Sequence, residues 1–535
     1  MGEALSYIFG ECVVIFFLYK RMLQYLRFFQ QEEYKTARFI DWYYNRWAFD
    51  KKGSTIILIA LFAYVLFSIT PWIFVVAALL LLGIALTEED PKRDGKVTLK
   101  MTQRASRIFE VAILSIIILS LSIFYFLYSK NLISFWLIQI LLIQSIPFWL
   151  ILANTLLSPV EKSLQNKFLS EAAKKIKDVN PFIIGITGSY GKTSTKAALG
   201  EILNVCLAPT FWPPKSFNTL MGLTKHIREE LRYGFKFAVV EMGAYGKGSI
   251  AKVCKLTPPK AAIITAVGIM HLERFGSEET VYQAKSELAQ ALPEDGILVC
   301  NGDNDGARRI SKEFVKKTTL LYGLDSSKGQ LDCKITNVIP TPDGSNFEIE
   351  WKGKVYKGQT KLLGTPALSN LAASFTMACI LGADPEFVLA AIKNIQPVEN
   401  RLSISKSQGI VWLKDAYNSN PVGFAAALDV LKEFPGKRKI LMTPGMIELG
   451  QKQFDENVKI ASRAASECDM IFVVGKTNRA SFETAAKTVK NKNTGIHYLS
   501  SREQAFEEIK KISQEGDVIL IENDLTDLYE APISF

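Results

Sequence analysis

Apolar residues are distributed along this chain in two different ways, and the change falls near residue 178. Before it they come in long, nearly uncharged runs. These are 4–19, apolar apart from Glu11; 54–87, interrupted at Thr70-Pro71; and 108–129 and 132–157, parted only by Lys130-Asn131. Runs approaching about 20 residues have the length of a bilayer-crossing helix, and the proline divides 54–87 into a pair of shorter spans. Residues 160–180 are polar, lysine-rich and helix-like, a connector into the second part of the chain. Beyond it the apolar residues come in short blocks at 182–184, 237–243, 261–267, 298–300, 439–442, 470–475 and 517–522. Helix-forming stretches at 196–203, 455–467, 480–490 and 502–513 lie between them. Short apolar strands alternating with helices predict doubly wound α/β architecture. The pattern therefore predicts an α-helical transmembrane region followed by α/β domains.

Charge sharpens the first part of this picture. Of the 63 Lys/Arg and 53 Asp/Glu, residues 1–178 hold 20 and 14, so the basic excess sits in the most apolar third. That placement favours membrane flanks over a nucleic-acid surface. The basic residues gather in 20–52, 92–107 and 162–175. Five crossings with the N-terminus outside put all three segments, and everything after 158, in the cytoplasm. The alternative is four crossings with 4–19 lying in the interface, because Glu11 is costly inside a bilayer. No basic stretch precedes 4–19 and no small-residue cleavage site follows it, which argues against a cleaved signal. Seven scattered cysteines, none spaced C-x-x-C, indicate neither a disulfide framework nor a zinc site.

The chemistry centres on Gly185 to Thr195, GITGSYGKTST. An apolar strand precedes it and a helix follows, the setting of a phosphate-binding loop. Gly188, Ser189, Tyr190 and Gly191 would turn the backbone N–H groups toward phosphate, with Ser194 in the first helical turn. Lys192 would reach the β/γ-phosphates and Thr193 would bind Mg²⁺. The match to G-x-x-x-x-G-K-[ST] is imperfect, since Ile186 occupies the position of the first glycine. Downstream, Glu241 ends an apolar strand, where an acid can hold Mg²⁺ opposite the loop.

The form T-G-x-x-G-K-[ST]-[ST], residues 187–194, resembles the loop of the Mur ligases, the ATP-dependent amide ligases of cell-wall precursor synthesis. Other stretches resemble the family's D-alanyl-D-alanine-adding members. His271-Leu272-Glu273-Arg274-Phe275-Gly276-Ser277 is similar to H-L-E-x-F-G-S, whose His helps hold a second Mg²⁺. Ala284-Lys285 is similar to the A-K-x-x-[LIF] segment, whose Lys is carbamylated in many members. Asn400-Arg401-Leu402 is similar to the junction preceding the last domain, and Asp415-Ala416-Tyr417-Asn418-Ser419-Asn420-Pro421 to D-x-Y-N-A-N-P. The resemblance implies ATP contacts at Asn370, Arg401, Asp415 and Asn418. It implies Mg²⁺ ligation by Thr193, Glu241, His271 and carbamylated Lys285, with Lys192, Glu241, His271 and Lys285 catalytic. Ser216, Asn218 and Asn420 are expected to face the substrate. Three departures stand out: Pro366-Ala367 in place of a His-Asn pair, Pro444-Gly445 in place of Gly-Asp, and Glu522-Asn523-Asp524 where K-G-S-R is common.

The expected domains are 1–178, transmembrane helices and connector, read from the apolar runs, and, on the resemblance, 179–396, ATP-binding, and 397–535, Rossmann-like. The implied activity adds a D-alanyl-D-alanine-type dipeptide to a muramoyl-peptide through an acyl phosphate, using ATP and two Mg²⁺. The acceptor is nucleotide- or lipid-linked, and a poly-γ-glutamate-type ligase is an alternative. The rival of another class is a membrane transporter or sensor with a P-loop domain. No nucleic acid is implicated, and the bilayer is the expected partner surface of a multi-pass protein.

Overall fold

The computed structural model describes residues 2–524 apart from 68–71, 95–96, 128–131, 245, 269–274, 317, 342, 399–400, 417–418 and 489–493. The expected breaks at Thr70-Pro71 and Lys130-Asn131 lie outside the described residues. The chain forms two compact units that divide between residues 164 and 165.

The first unit is helical: α1 (Gly2–Gln31), α2 (Thr36–Asn45), α3 (Lys52–Phe67), α4 (Ile73–Thr87), α5 (Gln103–Leu127) and the first part of α6 (Leu132–Val179). Among the described residues two helices, 103–127 and 133–179, are long and apolar enough to cross a membrane, and 52–66 and 73–87 are shorter apolar helices. Polar groups lie inside this unit. Glu11 accepts hydrogen bonds from Ser120 Oγ (2.6 Å) and Gln139 Nε2 (3.0 Å), joining α1, α5 and α6. Glu11 is thus enclosed by donors inside the helical unit and does not lie on its surface. Leucines, isoleucines and phenylalanines point outward instead: Leu58, Ile59 and Phe62 on α3, Leu79 and Leu80 on α4, Leu114 and Ile118 on α5.

Hydrogen bonds gather the polar segments of this unit at one end. Arg21 pairs with Asp50 (2.7 Å) and Glu88 (2.9 Å). Gln24 Nε2 donates to the Glu89 carbonyl (2.7 Å), and the Lys100 N–H donates to Gln30 Oε1 (3.0 Å). Arg104 donates to Asn154 Oδ1 (3.0 Å) and Arg107 to Glu161 Oε1 (2.7 Å).

The second unit holds two sheets. The first contains β1 (Phe182–Thr187), β2 (Thr210–Phe211), β3 (Phe237–Glu241), β4 (Ala261–Ile264), β5 (Ile297–Asn301), β6 (Thr318–Gly323), β7 (Cys333–Thr341), β8 (Gly344–Trp351) and β9 (Lys354–Thr360). Their order is β2-β3-β1-β4-β5-β6-β7-β8-β9. Pairing is parallel from β2 to β7, and β7-β8-β9 is an antiparallel meander. The second sheet contains β10 (Ser403–Ser407), β11 (Ile410–Asp415), β12 (Lys439–Thr443), β13 (Met470–Val474), β14 (Gly495–Leu499) and β15 (Val518–Glu522). Its order is β10-β11-β15-β12-β13-β14, parallel except for β10. Strands buried on both faces read as the continuous apolar runs seen in the sequence. The end of α6 belongs to this unit: Ala172 and Ile176 are buried in one core with Ile183, Leu223 and Ile227.

Candidate active site

Strand β1 ends at Thr187, and the chain turns through 188–191 into helix α7 (Lys192–Cys206). Two glycines are obligatory here. A Cβ at Gly188 would lie 1.9 Å from Thr265 Oγ1, and Gly191 has φ +82° with Asn370 Oδ1 against its open face. The missing first glycine has a simple cause. Ile186 is still strand, fully buried and in register with Glu241 and Ile263, so the turn begins two residues later.

The loop carries its lysine folded back on itself. Lys192 Nζ donates to the carbonyls of Gly188 (2.7 Å) and Ser189 (3.2 Å). Thr193 Oγ1 donates to Glu241 Oε2 (2.9 Å), while Asn218 Nδ2 donates to Glu241 Oε1 (2.9 Å). Ser216 Oγ lies 3.4 Å from Thr193 Oγ1. Parallel pairing of β1 with β3 brings the glycine loop and the strand-end acid together from opposite sides of about fifty residues of sequence.

Lys285 lies on the helix Glu278–Gln290 with its side chain buried. Burial, and then the charge of Lys192, push its ammonium well below the usual lysine range. Among the described residues it makes no hydrogen bond or ion pair. Two residues on, Glu287 accepts from the N–H groups of Gly248 (2.5 Å) and Ala251 (2.9 Å), fixing this helix against the helix Ser249–Leu256. Burial also lowers Lys192, with Glu241 pulling it back up.

One residue of this cluster was not singled out from the sequence. Lys196 is buried, its Nζ 3.7 Å from Glu241 Oε2, and it donates to the Lys215 carbonyl. Its spacing of four from Lys192 puts the two lysines on one helix face, a signal that was available in the sequence.

Two cavities of about 740 and 160 Å³ open beside the glycine loop, and Asn370, Arg401 and Asp415, expected to meet the nucleoside, border the smaller. Tyr190 and Pro366 line both. The smaller is also bordered by Ser194 and Asn370 from the first sheet's domain, and by Arg401, Asp415, Asn420 and Glu522 from the second. Asn370 Oδ1 accepts from Thr195 Oγ1 (3.1 Å). Asn420 Oδ1 caps the helix Pro421–Glu433 by accepting from Gly423 N (3.0 Å), a structural duty beside the one expected of it. Ser189 Oγ bonds the backbone of Gly268. Asp415 and Glu522 are register partners at the carboxyl ends of β11 and β15. Burial lifts Asp415 to about 6 against the pull of Arg401, and burial beside Asp415 pushes Glu522 well up. Ser419 Oγ donates to Glu522 Oε1 (2.6 Å), so the residue that departs from K-G-S-R is built into the second domain. His271 and Asn418 lie outside the described residues.

The donor set suits Mg²⁺. Among the described residues no three His, Cys, Asp or Glu side chains form a metal cage. Mg²⁺ is ordinarily held by one or two carboxylates with substrate phosphates, and Glu241 beside the Thr193 hydroxyl, at the foot of the glycine loop, offers the donors for such a half-site.

A strand, glycine loop and helix with a strand-end acid, in a parallel sheet joined to a second α/β domain, define a nucleotide-binding α/β enzyme. Family models narrow this: the Mur ligase middle domain matches residues 186–378 and the Mur ligase, glutamate ligase domain matches 400–522, together more than half of the chain. The chain belongs to the Mur ligase family of ATP-dependent ligases, and the resemblance read from its motifs is borne out. UDP-N-acetylmuramoyl-tripeptide--D-alanyl-D-alanine ligase of Escherichia coli is 30% identical over 300 residues, covering 56% of this chain and 65% of the relative. The Bacillus subtilis enzyme of the same name is 28% identical over 382 residues, covering 68% and 80%. MurF from Acinetobacter baumannii shares the fold with a TM-score of 0.60 at 24% identity, over 67% of this chain and 77% of that one. MurF from Thermotoga maritima in complex with ADP shares it at 0.59 and 24%, over 69% and 84%.

Proposed function

We propose that this chain is a membrane-anchored, ATP-dependent amide ligase that adds D-alanyl-D-alanine to a UDP-N-acetylmuramoyl-tripeptide. The observation that carries the reading is the cluster of Lys192, Thr193, Glu241 and Lys285 at the foot of the glycine loop. It joins a phosphate-binding lysine, a metal half-site and a buried amine in a chain whose relatives bear that name.

In this reading Gly188 to Ser194 cradle the phosphates of ATP, and Lys192 swings from its own loop carbonyls to the γ-phosphate. Asn370, Arg401, Asp415 and Asn418 border the nucleoside. Thr193, Glu241 and His271 would hold Mg²⁺, which when bound would neutralise phosphate charge. A carboxylate oxygen of the tripeptide attacks the γ-phosphorus as the bond to the β-phosphate oxygen breaks, giving an acyl phosphate and ADP. The dipeptide amine then attacks the acyl carbon, loses a proton to solvent, and phosphate departs with its bonding pair. Positioning and charge neutralisation are the protein's main contribution to such phosphoryl transfer. Lys285, whose charged form burial disfavours, offers the amine needed to add to CO₂. Loss of its N–H proton leaves a carbamate whose oxygens suit Mg²⁺. Ser216 and Asn218, fastened to Thr193 and Glu241, place the loop that meets the acceptor, and Asn420 borders the cleft from the second domain.

The helical unit is the anchor. Its outward Leu, Ile and Phe side chains suit lipid, and its polar inside suits helices that must satisfy their groups away from water. Its basic segments, gathered at one end, fit a cytoplasmic face with five crossings. The same unit favours a second acceptor, a lipid-linked precursor met in two dimensions at raised effective concentration.

The test is ATP-dependent phosphate release by the full chain in detergent, with D-alanyl-D-alanine and either the uridine-linked or the lipid-linked muramoyl-tripeptide. Turnover with the first confirms the proposal, and turnover with the second alone replaces its acceptor. Absence of ligation with both refutes it.

A further inference from the structure

The segment 215–218 is fastened at three points to the phosphate-loop helix and to Glu241. Lys196 donates to the Lys215 carbonyl, Ser216 Oγ meets Thr193 Oγ1 at 3.4 Å, and Asn218 Nδ2 donates to Glu241 Oε1 at 2.9 Å. Lys196 and Glu241 are each 1% exposed, and their charged groups face each other at 3.7 Å. A buried cation of this kind needs a counter-charge, and a buried carboxylate equally so. Lys215 holds φ at +51°, a left-handed backbone rare for a lysine, so the carbonyl that receives Lys196 belongs to a constrained turn.

We propose that Lys196 is a positioning residue that occupies the cation's place at Glu241 and links metal binding there to the placement of the 215–218 segment. The inference rests on the reading of Glu241 as the metal carboxylate. A divalent cation arriving at Glu241 Oε2 puts like charge a few ångströms from the Lys196 ammonium. In a site screened from water that repulsion is large enough to matter. The ammonium already donates to the Lys215 carbonyl, so metal arrival weakens its pairing with Glu241 and leaves it held by the turn carrying Ser216. The coupling is reciprocal: a segment held by the acceptor draws Lys196 off Glu241 and favours the metal.

The measurement is Mn²⁺ binding, followed by its paramagnetic resonance signal, to the full chain in detergent with ADP. It is paired with the rate of tryptic cleavage after Lys215, which is exposed. Lys196→Met removes both the competing charge and the tether. It should bind Mn²⁺ about threefold or more tighter while cleavage after Lys215 quickens by a similar factor. Lys196→Gln, neutral but still a donor to the Lys215 carbonyl, should tighten Mn²⁺ with little change in cleavage, and serves alone if the methionine variant does not fold. Lys196→Arg keeps the charge and should restore wild-type Mn²⁺ affinity. A merely structural lysine would weaken Mn²⁺ binding and loosen the loop together, so unchanged or weaker Mn²⁺ binding in the neutral variants overturns the proposal. Absence of Mn²⁺·ADP binding in the wild type would instead overturn the reading of Glu241, and this inference with it.

Discussion

The two units of this chain place their polar and apolar side chains in opposite ways. In the helical unit Glu11, Arg21, Asp50, Ser120 and Gln139 are inside, while Leu58, Ile59, Phe62, Leu79 and Ile118 face out. In the ligase unit the strands bury Ile, Val, Leu and Ala on both faces, and its carboxylates are buried chiefly at strand ends, as at Glu241 and Glu522. On the proposed reading, one chain solves burial for two solvents. Where the surroundings are hydrocarbon, apolar side chains gain nothing by hiding and polar groups must find each other. Where they are water, apolar surface is what folding removes, and a polar group is buried only where a ligand or partner meets it.

The sharpest break of this contrast is a cut between the units. A fragment beginning at 165 keeps Ala172 and Ile176 in the core they share with Ile183 and Leu223. It is expected to leave the membrane fraction entirely, whereas the full chain is released only by detergent; sedimentation of both checks this. A fragment beginning at 179 exposes that core and should melt lower.

Within the ligase unit the largest single effect is expected at Lys192. Lys192→Ala removes charge neutralisation realised in the transition state and should lower ATP-dependent ligation on the order of a hundredfold or more. Membrane extraction behaviour should be unchanged. A phosphate-release rate within a few-fold of wild type would contradict the assignment of the loop. Lys285→Ala should cost less, roughly tenfold or more as for a group that orients a metal site. Acetate or another small anion should partly restore its rate, and intact-protein mass should lose a carbamyl adduct present in the wild type.

A smaller effect tests the strand-end acids. Asp415, lifted to about 6, keeps its proton in the folded protein between about pH 4 and 6, where the unfolded chain has released it. Stability therefore falls as pH rises through that window and stays lower above it. Asp415→Asn should raise the melting temperature at pH 7 by about 2 °C or more and change it little at pH 4. A larger gain at pH 4 than at pH 7 would reverse the sign argued here. The smallest effect belongs to the helical unit. Glu11→Leu strands Ser120 and Gln139, and should lower stability in detergent by about 1–2 kcal/mol, the scale of hydrogen bonds between helices in lipid. An unchanged melting curve would mean that these donors find other partners.

Sequence alone determined that long apolar helices give way to alternating strands and helices, the strand–loop–helix at 182–203, and the family, because these depend on local runs and on glycines that no other residue can replace. The antiparallel meander β7-β8-β9 at 333–360 was not expected from the parallel α/β pattern. Only the tertiary structure decided that Glu11 is enclosed by Ser120 and Gln139, more than a hundred residues away, since a one-dimensional pattern does not say which face of a helix meets a partner. It alone decided that Asn420 caps a helix, and that Lys196 joins Glu241 and the 215–218 turn. It also set the division of the units inside α6, where one helix passes from apolar to polar without a break. The physical reason is the same in each case. Local propensity is written in neighbours along the chain, whereas charge pairing and burial are decided by neighbours in space.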